Sequence, residues 1–289
     1  MEEEKKIRAF KCSTCFDWDC IVKKCISKTK KEHTFVDSFG EVICTEHRNK
    51  QTGKPTGGFK ELKPRAKVWF TSDWHFAHEN ILRFYPERRK HFGFSDEEFF
   101  ANPGECVAKM DKMLIEKWNK TVRKCDTVYF LGDFCLSNKE YTEKILQQLH
   151  GKKFLIWGNH DRSLKGLERY FVDCVDIKEA KFTNNQFPFI PVDETFCVEM
   201  CHYPLLSWNR RNNGSCHIHG HCHSNCDSIN DTMMELRVDV GLDCPKWNYE
   251  MIELEQLYNY FIELRNKFGV STFKEYMEKL IKERNGIRG

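Results

Sequence analysis

The sequence predicts an α/β protein: a layered domain with parallel strand pairing, preceded by a small cysteine-rich segment. Three observations carry this. From Val68 onward, β-like runs alternate with segments of helical spacing. Short polar motifs follow the β-like runs, as expected where ligands gather at the carboxyl ends of strands. Residues 1–52 differ in texture, holding Cys12, Cys15, Cys20, Cys25 and Cys44 with His33 and His47.

The cysteine-rich segment comes first. Cys12-Ser13-Thr14-Cys15 and Cys44-Thr45-Glu46-His47 each have the two-residue gap of a zinc knuckle. A structural Zn2+ on Cys12, Cys15, Cys44 and His47 would order a zinc-ribbon-like segment too small to fold on its own core. Cys20 and Cys25 are competing ligands with a less favourable gap, and the alternative is a loose extension with free thiols. Residues 53–65, opening Gly53-Lys54-Pro55-Thr56-Gly57-Gly58, have the composition of a linker. Residues 66–289 form the main domain, including its C-terminal helices.

Within that domain Val68–Thr71 reads as a strand. Residues 105–124 place Val107, Met110, Met113, Leu114, Trp118 and Val122 at helical spacing. A strand at 127–131, a helix at 140–149 and a strand at 153–157 complete a βαβαβ rhythm. Beyond Asp173 short strands dominate, near 172–177, 196–200, 216–219 and 236–240, and suggest a second sheet. Helices at about 251–267 and 271–285 have Leu and Phe spacing suited to packing on an outer face.

A hydrophobic share of 40% supports a substantial core, and 31% charge suits a soluble protein. No run of 18 apolar residues exists, which argues against a membrane-spanning helix. Met1-Glu2-Glu3-Glu4 has the wrong charge for a secretory signal, so the 15 cysteines are expected as reduced, cytoplasmic thiols, some of them holding metal. The net charge of +3 is uneven: residues 1–65 carry 15 Lys/Arg against 10 Asp/Glu, and the remainder 31 against 33. The basic excess therefore sits in the N-terminal segment, where solubility is its simplest role and nucleic-acid attraction the alternative.

The chemistry lies in five polar motifs: Asp73-Trp74-His75, Gly132-Asp133, Gly158-Asn159-His160-Asp161, Cys201-His202 and Gly220-His221-Cys222-His223. Asp, His and Asn are the mixed oxygen and nitrogen donors that Mn, Fe and Zn ions accept. Asp73 and His75, two apart on an extended strand end, should point the same way, and the same spacing relates His221 to His223. Singly, each residue reads as a turn, a cap or an ordinary histidine. In series they read as one dinuclear site.

The series resembles the calcineurin-like metallophosphoesterase superfamily, whose pattern runs DxH, GD, GNH(D/E), H, GHxH, over about residues 66–250. The wording from Ser72 to Ile81, with His202-Tyr203-Pro204 and Ser207-Trp208, is similar to small phage- and bacterial-type members. The resemblance implies a four-layer α/β/β/α sandwich and two divalent ions, of Mn2+, Fe2+/3+, Zn2+ or Ni2+ type. It gives Asp133 the bridging role, Asp73, His75 and His223 to the first ion, and Asn159, His202 and His221 to the second. His160 would face the substrate, with Asp161 hydrogen-bonded to its imidazole. The nucleophile it implies is a hydroxide bridging the ions.

Around this set His78, Arg162 and Arg210 are candidate substrate contacts. Arg83, Arg88, Arg89 and Arg211 are weighed with them as phosphate grips. Trp208 could stack on a base, although packing is the commoner fate of tryptophan. His217 and His219 are expected as strand positions behind the ligands. Cys201 and Cys222 should point away from any metal.

The functional expectation is a metal-dependent phosphoester hydrolase, with nucleotide-type or other small phosphodiesters preferred. A phosphomonoesterase, a nuclease targeted by the basic segment and an inactive binding scaffold are the alternatives. The complete motif set argues against a scaffold, and the lack of a basic run or aromatic platform argues against a nuclease. The partners expected are a phosphoester substrate, a nucleotide or nucleic acid among them, and no membrane.

Overall fold

The computed structural model describes five short strands among the first 64 residues, then residues 65–232, 236–267, 269 and 273–286. The chain divides into two compact units, residues 1–65 and 66–289. In the first unit β1 (Phe10–Lys11), β5 (Val42–Cys44) and β4 (Thr34–Val36) form an antiparallel sheet, and β2 (Trp18–Asp19) pairs with β3 (Lys24–Cys25). Cys12, Cys15 and His47 lie outside the described residues, and with them the zinc-ribbon expectation.

The second unit holds β6 (Val68–Thr71), β7 (Thr127–Phe130), β8 (Lys152–Ile156) and β9 (Asp173–Val175). After these come β10 (Ile177–Thr183), β11 (Thr195–Cys201), β12 (Cys216–His219), β13 (Arg237–Asp239) and β14 (Ile252–Glu253). One sheet runs β14-β6-β7-β8-β9, parallel except for β14. The other runs β10-β11-β12-β13, with only β10 antiparallel. The helices are α1 (Glu79–Phe84), α2 (Pro86–His91), α3 (Asp96–Ala101), α4 (Pro103–Thr121) and α5 (Lys139–Leu146), then α6 (Asp227–Thr232), α7 (Leu254–Lys267) and α8 (Phe273–Gly286).

Side chains alternate across a strand, so each sheet divides its residues between two cores. Val68 and Phe70 of β6 enter a cluster with Phe196, Val198 and Met200 of β11 and Ile218 of β12, between the sheets. Trp69 of β6 and Val128 and Phe130 of β7 face the other way, into a cluster with Met110, Leu114 and Trp118 of α4. Each such buried side chain contributes about 1.5–3 kcal/mol of transfer free energy. The predicted helix over 105–124 is α4, which starts at Pro103, a residue suited to a first turn because it lacks an N–H.

Three features differ from the sequence expectation. The short helices α1–α3 have too few turns to show a periodic apolar stripe. β10 is an edge strand whose Lys178, Glu179 and Lys181 interrupt any apolar alternation, and charge on an edge discourages pairing with another chain. α7 takes a different place from the outer face expected of it: Leu257, Tyr258, Phe261 and Leu264 join the cluster between the sheets, and the helix contacts β14 and β6. No helix among the described residues is long and apolar enough to cross a membrane.

Candidate active site and metal centre

Both sheets deliver their polar motifs at the carboxyl ends of strands, and backbone bonds knit those ends together. Asp73 N–H donates to Gly132 O (3.0 Å) and His75 N–H to Asp133 O (3.0 Å), joining the turns after β6 and β7. Leu242 N–H donates to Ser72 O (2.9 Å), tying in the second sheet, within which Gly220 N–H donates to His202 O (3.0 Å). Two triads result, Asp73–His75–His223 and Asp133–His202–His221, each with ligand atoms within 4.8 Å of one another.

The turns carry backbone strain. Asp73 (φ 60°), His75 (φ 50°), Asp133 (φ 58°), His221 (φ 69°) and His223 (φ 45°) all occupy the left-handed region. Such conformations cost of order 1–3 kcal/mol each and persist where surrounding structure fixes them. This corrects the expected reason for the grouping of Asp73 with His75: the pair lies beyond β6 in tight left-handed turns, not on extended strand. The same geometry sends His221 and His223 to different triads. Gly132 (φ 86°) makes the crossing possible, because a Cβ there would lie 2.6 Å from Gly158 Cα and 2.9 Å from His202 Nδ1.

Asp133 Oδ2 lies 3.8 Å from His75 Nε2 and 3.6 Å from His202 Nε2, between the two triads. Its other oxygen accepts the His160 backbone N–H at 2.9 Å. Asn159 Oδ1 stands 3.1 Å from His202 Nε2, which places the amide beside the second triad. Asp161 corrects its expected role. Its buried carboxylate accepts N–H donors from Asp133 (3.1 Å), Phe134 (2.8 Å) and Gly158 (2.7 Å), so it pins two motif turns together and is not bonded to the His160 imidazole. Burial, with the charge of Asp133 adding to it, pushes the Asp161 carboxyl up to about 6 against the pull of those donors.

Most of these shifts leave the ligand in the form a cation needs, a neutral imidazole or an ionised carboxylate. Burial lowers His75 and His221, keeping their imidazoles neutral and ligand-competent. Burial would raise the Asp73 carboxyl, but the hydrogen bond with His75 and the charges of His223, His75 and His202 outweigh it and hold Asp73 below the usual range. For His223 burial is outweighed by Asp243 and Asp73, and the net shift is upward.

The donor set fits a metal ion. His223 Nδ1 pairs with Asp243 Oδ2 (2.9 Å), which leaves the Nε2 lone pair facing His75 Nε2 at 3.2 Å. His202 Nδ1 donates to Leu131 O (2.6 Å), which leaves its Nε2 facing the Asn159 and Asp133 oxygens. Converging imidazole nitrogens and carboxylate oxygens could hold a cation between them, and partners on the far ring nitrogen fix the tautomer in the way metal-ligating histidines require.

The remaining candidates separate clearly. His78 Nδ1 is 3.2 Å from His75 Nδ1, and its ring centroid is 6.0 Å from that of His160. Burial pulls His78 down to about 3, so it is neutral there. Arg162 lines a cavity of about 550 Å3 with Asn159 and His160. Arg210 stands opposite Glu179 of β10 (3.7 Å), not at either triad. Arg88 and Arg89 are buried and internal, not phosphate grips: Arg88 donates to Asp73 O, Trp74 O and Asp243, and Arg89 to Leu82 O and Asp96. Arg83 pairs with Glu79, and the Arg211 guanidinium lies over Trp208. Trp208 is buried, its Nε1–H donating to Ser215 O (3.0 Å), and so it packs. His217 and His219 are buried on β12 and bonded there. Cys201 is buried, and Cys222 Sγ faces Cys226 Sγ at 3.1 Å, so the Cys222 thiol is turned towards Cys226. All ten described cysteines from Cys106 to Cys244 are free.

Sequence reasoning missed Asp243, which orients His223 and bonds Arg88 (3.0 Å). The signal existed: Gly241-Leu242-Asp243 follows a strand in the same way as the other polar motifs. Tyr85, 4.6 Å from His223 ring to ring, and Tyr203, 4.8 Å from His221, were missed too.

Two parallel-rich sheets meet at a carboxyl-end cluster of Asp, Asn and His that could hold metal ions. Residues 66–243 match the calcineurin-like phosphoesterase family, and the chain belongs to it. The protein is therefore a metal-dependent phosphoester hydrolase, and the family implies divalent ions. The chain is 36% identical over 98 residues to an uncharacterized protein of Methanocaldococcus jannaschii, a match covering 33% of this chain and 47% of that protein, about half its length. It is 27% identical over 216 residues to the Gene 66 protein of Mycobacterium phage D29 (67% of this chain, 96% of that one). The Gene 66 protein of Mycobacterium phage L5 is 23% identical over 227 residues (72% and 100%).

Proposed function

We propose that this protein is a phosphodiesterase of nucleotide-type or other small phosphodiesters, working with two divalent ions. The observation that supports it is the Asp133 carboxylate, whose Oδ2 stands 3.8 Å and 3.6 Å from imidazole nitrogens of opposite triads. Asp73, His75 and His223 would hold one ion and Asn159, His202 and His221 the other, with Asp133 shared. When bound, such a pair supplies a water of lowered pKa and neutralises phosphoryl charge.

The chain's own residues do the rest. Asp161 holds the Asp133 and Gly158 turns at fixed separation, and the His160 N–H orients the shared carboxylate. Asp243 and Leu131 O fix the tautomers of His223 and His202. His160 is exposed beside the triads, its ring centroid 5.8 Å from that of His75, where its imidazole can bond a phosphoryl oxygen or give a proton to the leaving oxygen.

The test is a panel with added Mn2+: a bis-aryl phosphodiester, an aryl monoester, 2′,3′- and 3′,5′-cyclic nucleotides, and short single-stranded DNA and RNA. Asp133→Asn serves as the blank, with metal content measured on both proteins. Diester turnover absent from the blank is the expected result. Faster turnover of the monoester than of every diester would overturn the diester preference.

A further inference from the structure

The cavity of about 550 Å3 beside the triads is lined by Cys135, Leu136, Ser137, Asn159, His160, Arg162 and Ser163. No carboxylate lines it. Its lining arginine is Arg162, which differs from most of the domain's described arginines. Arg83, Arg88, Arg123, Arg169 and Arg265 each hold a carboxylate partner. Among the described residues none pairs with Arg162, which is exposed on the short turn following His160. Ser163 Oγ–H donates to Cys135 O at 2.9 Å, which fixes one wall and leaves the hydroxyl's lone pairs and the Ser137 side chain as polar groups of the lining.

Position gives this cavity its meaning. Asn159 and His160 belong both to the site and to the cavity wall, so the cavity adjoins the position where His160 would meet a phosphoryl group. An uncompensated guanidinium with hydroxyl neighbours and no acid is the chemistry of an anion subsite. We propose that Arg162 and this cavity bind a second anionic group on the leaving side of the substrate, such as the phosphate of an adjoining nucleotide. The proposal rests on the phosphodiesterase reading for the placement of the leaving group, while the anion subsite itself rests on Arg162 and the cavity. It distinguishes this site from one for diesters with two uncharged substituents.

The experiment measures binding of adenosine 5′-monophosphate and of adenosine to the Mn2+-loaded full chain by calorimetry, for wild type, Arg162→Gln and Arg162→Lys. The monophosphate should bind about tenfold or more tightly than adenosine, and Arg162→Gln should lose most of the monophosphate affinity while adenosine affinity holds. Arg162→Lys should retain part of it. Arg162 is exposed, and unchanged melting temperatures confirm intact variants. Equal monophosphate affinity in wild type and Arg162→Gln overturns the proposal, as does equal affinity for the two ligands in wild type. A separate assay with bis(p-nitrophenyl) phosphate reads the diesterase activity itself. Failure there with an Arg162-dependent preference would sink the reaction and leave the subsite standing.

Discussion

The His160 backbone N–H donates to Asp133 Oδ1 at 2.9 Å, so the residue proposed to face the substrate also aims the carboxylate set between the triads. The bond belongs to the main chain, and a side-chain substitution at 160 leaves it in place. His160→Ala should therefore keep the bound metal while turnover falls by about 10²–10⁴-fold. Metal analysis alongside steady-state rates checks both halves. A variant with wild-type turnover would remove His160 from the chemistry.

Asp243 accepts from His223 Nδ1 and from Arg88. Asp243→Ala should free the His223 ring and weaken metal binding by about 10–100-fold, the usual effect of losing the partner behind a ligating histidine. The loss should be rescued by raising the Mn2+ concentration in the assay. A variant that stays inactive at saturating Mn2+ would show a different role.

Gly132 combines a φ of 86° with a crossing in which any Cβ lies 2.6 Å from Gly158 Cα. The neighbour is backbone and cannot swing aside. Gly132→Ala should cost roughly 2–4 kcal/mol of stability, well beyond the ordinary penalty for a left-handed alanine. Calorimetric melting of the two proteins checks it, and a shift of under a degree would contradict the packing described.

Lys153 lies on β8 with its ammonium donating to Leu149 O (2.9 Å) and Gly151 O (3.1 Å), and burial pulls it down to about 8. The folded pKa is below the unfolded value of 10.5, so between pH 8 and 10.5 the unfolded chain binds more protons. Stability from this group therefore rises with pH across that window. Buried thiols such as Cys135 act in the opposite direction, because burial pushes that thiol up to about 12. The comparison is thus between wild type and Lys153→Met: the variant should lack a rising contribution of about 1–3 kcal/mol in urea unfolding from pH 8 to 10.5. Parallel pH curves for the two proteins would show that Lys153 is solvated.

Much of this molecule is legible before folding is considered. The strand ending at Thr71, the long helix containing Leu114 and Trp118, and the strand Cys216–His219 show in local apolar pattern. β10 does not, because Lys178, Glu179 and Lys181 interrupt its apolar alternation and leave Ala180 and Phe182 as its core-facing side chains. Arg88 shows why composition misleads. An arginine eleven residues after Ala77 looks like a phosphate grip in sequence and is spent inside, on Asp243 and the carbonyls of Asp73 and Trp74.

The sequence by itself determined the kinds of ligand atom present and their order along the chain, because residue identity and strand periodicity are local properties. Only the tertiary structure decided which atoms meet. It put His221 and His223, two positions apart, into opposite triads by left-handed turns, the split the family resemblance implies. It directed Asp161 to three backbone donors and brought Asp243 behind His223. Those outcomes depend on where two separate sheets place their strand ends, and no window of sequence contains both sheets.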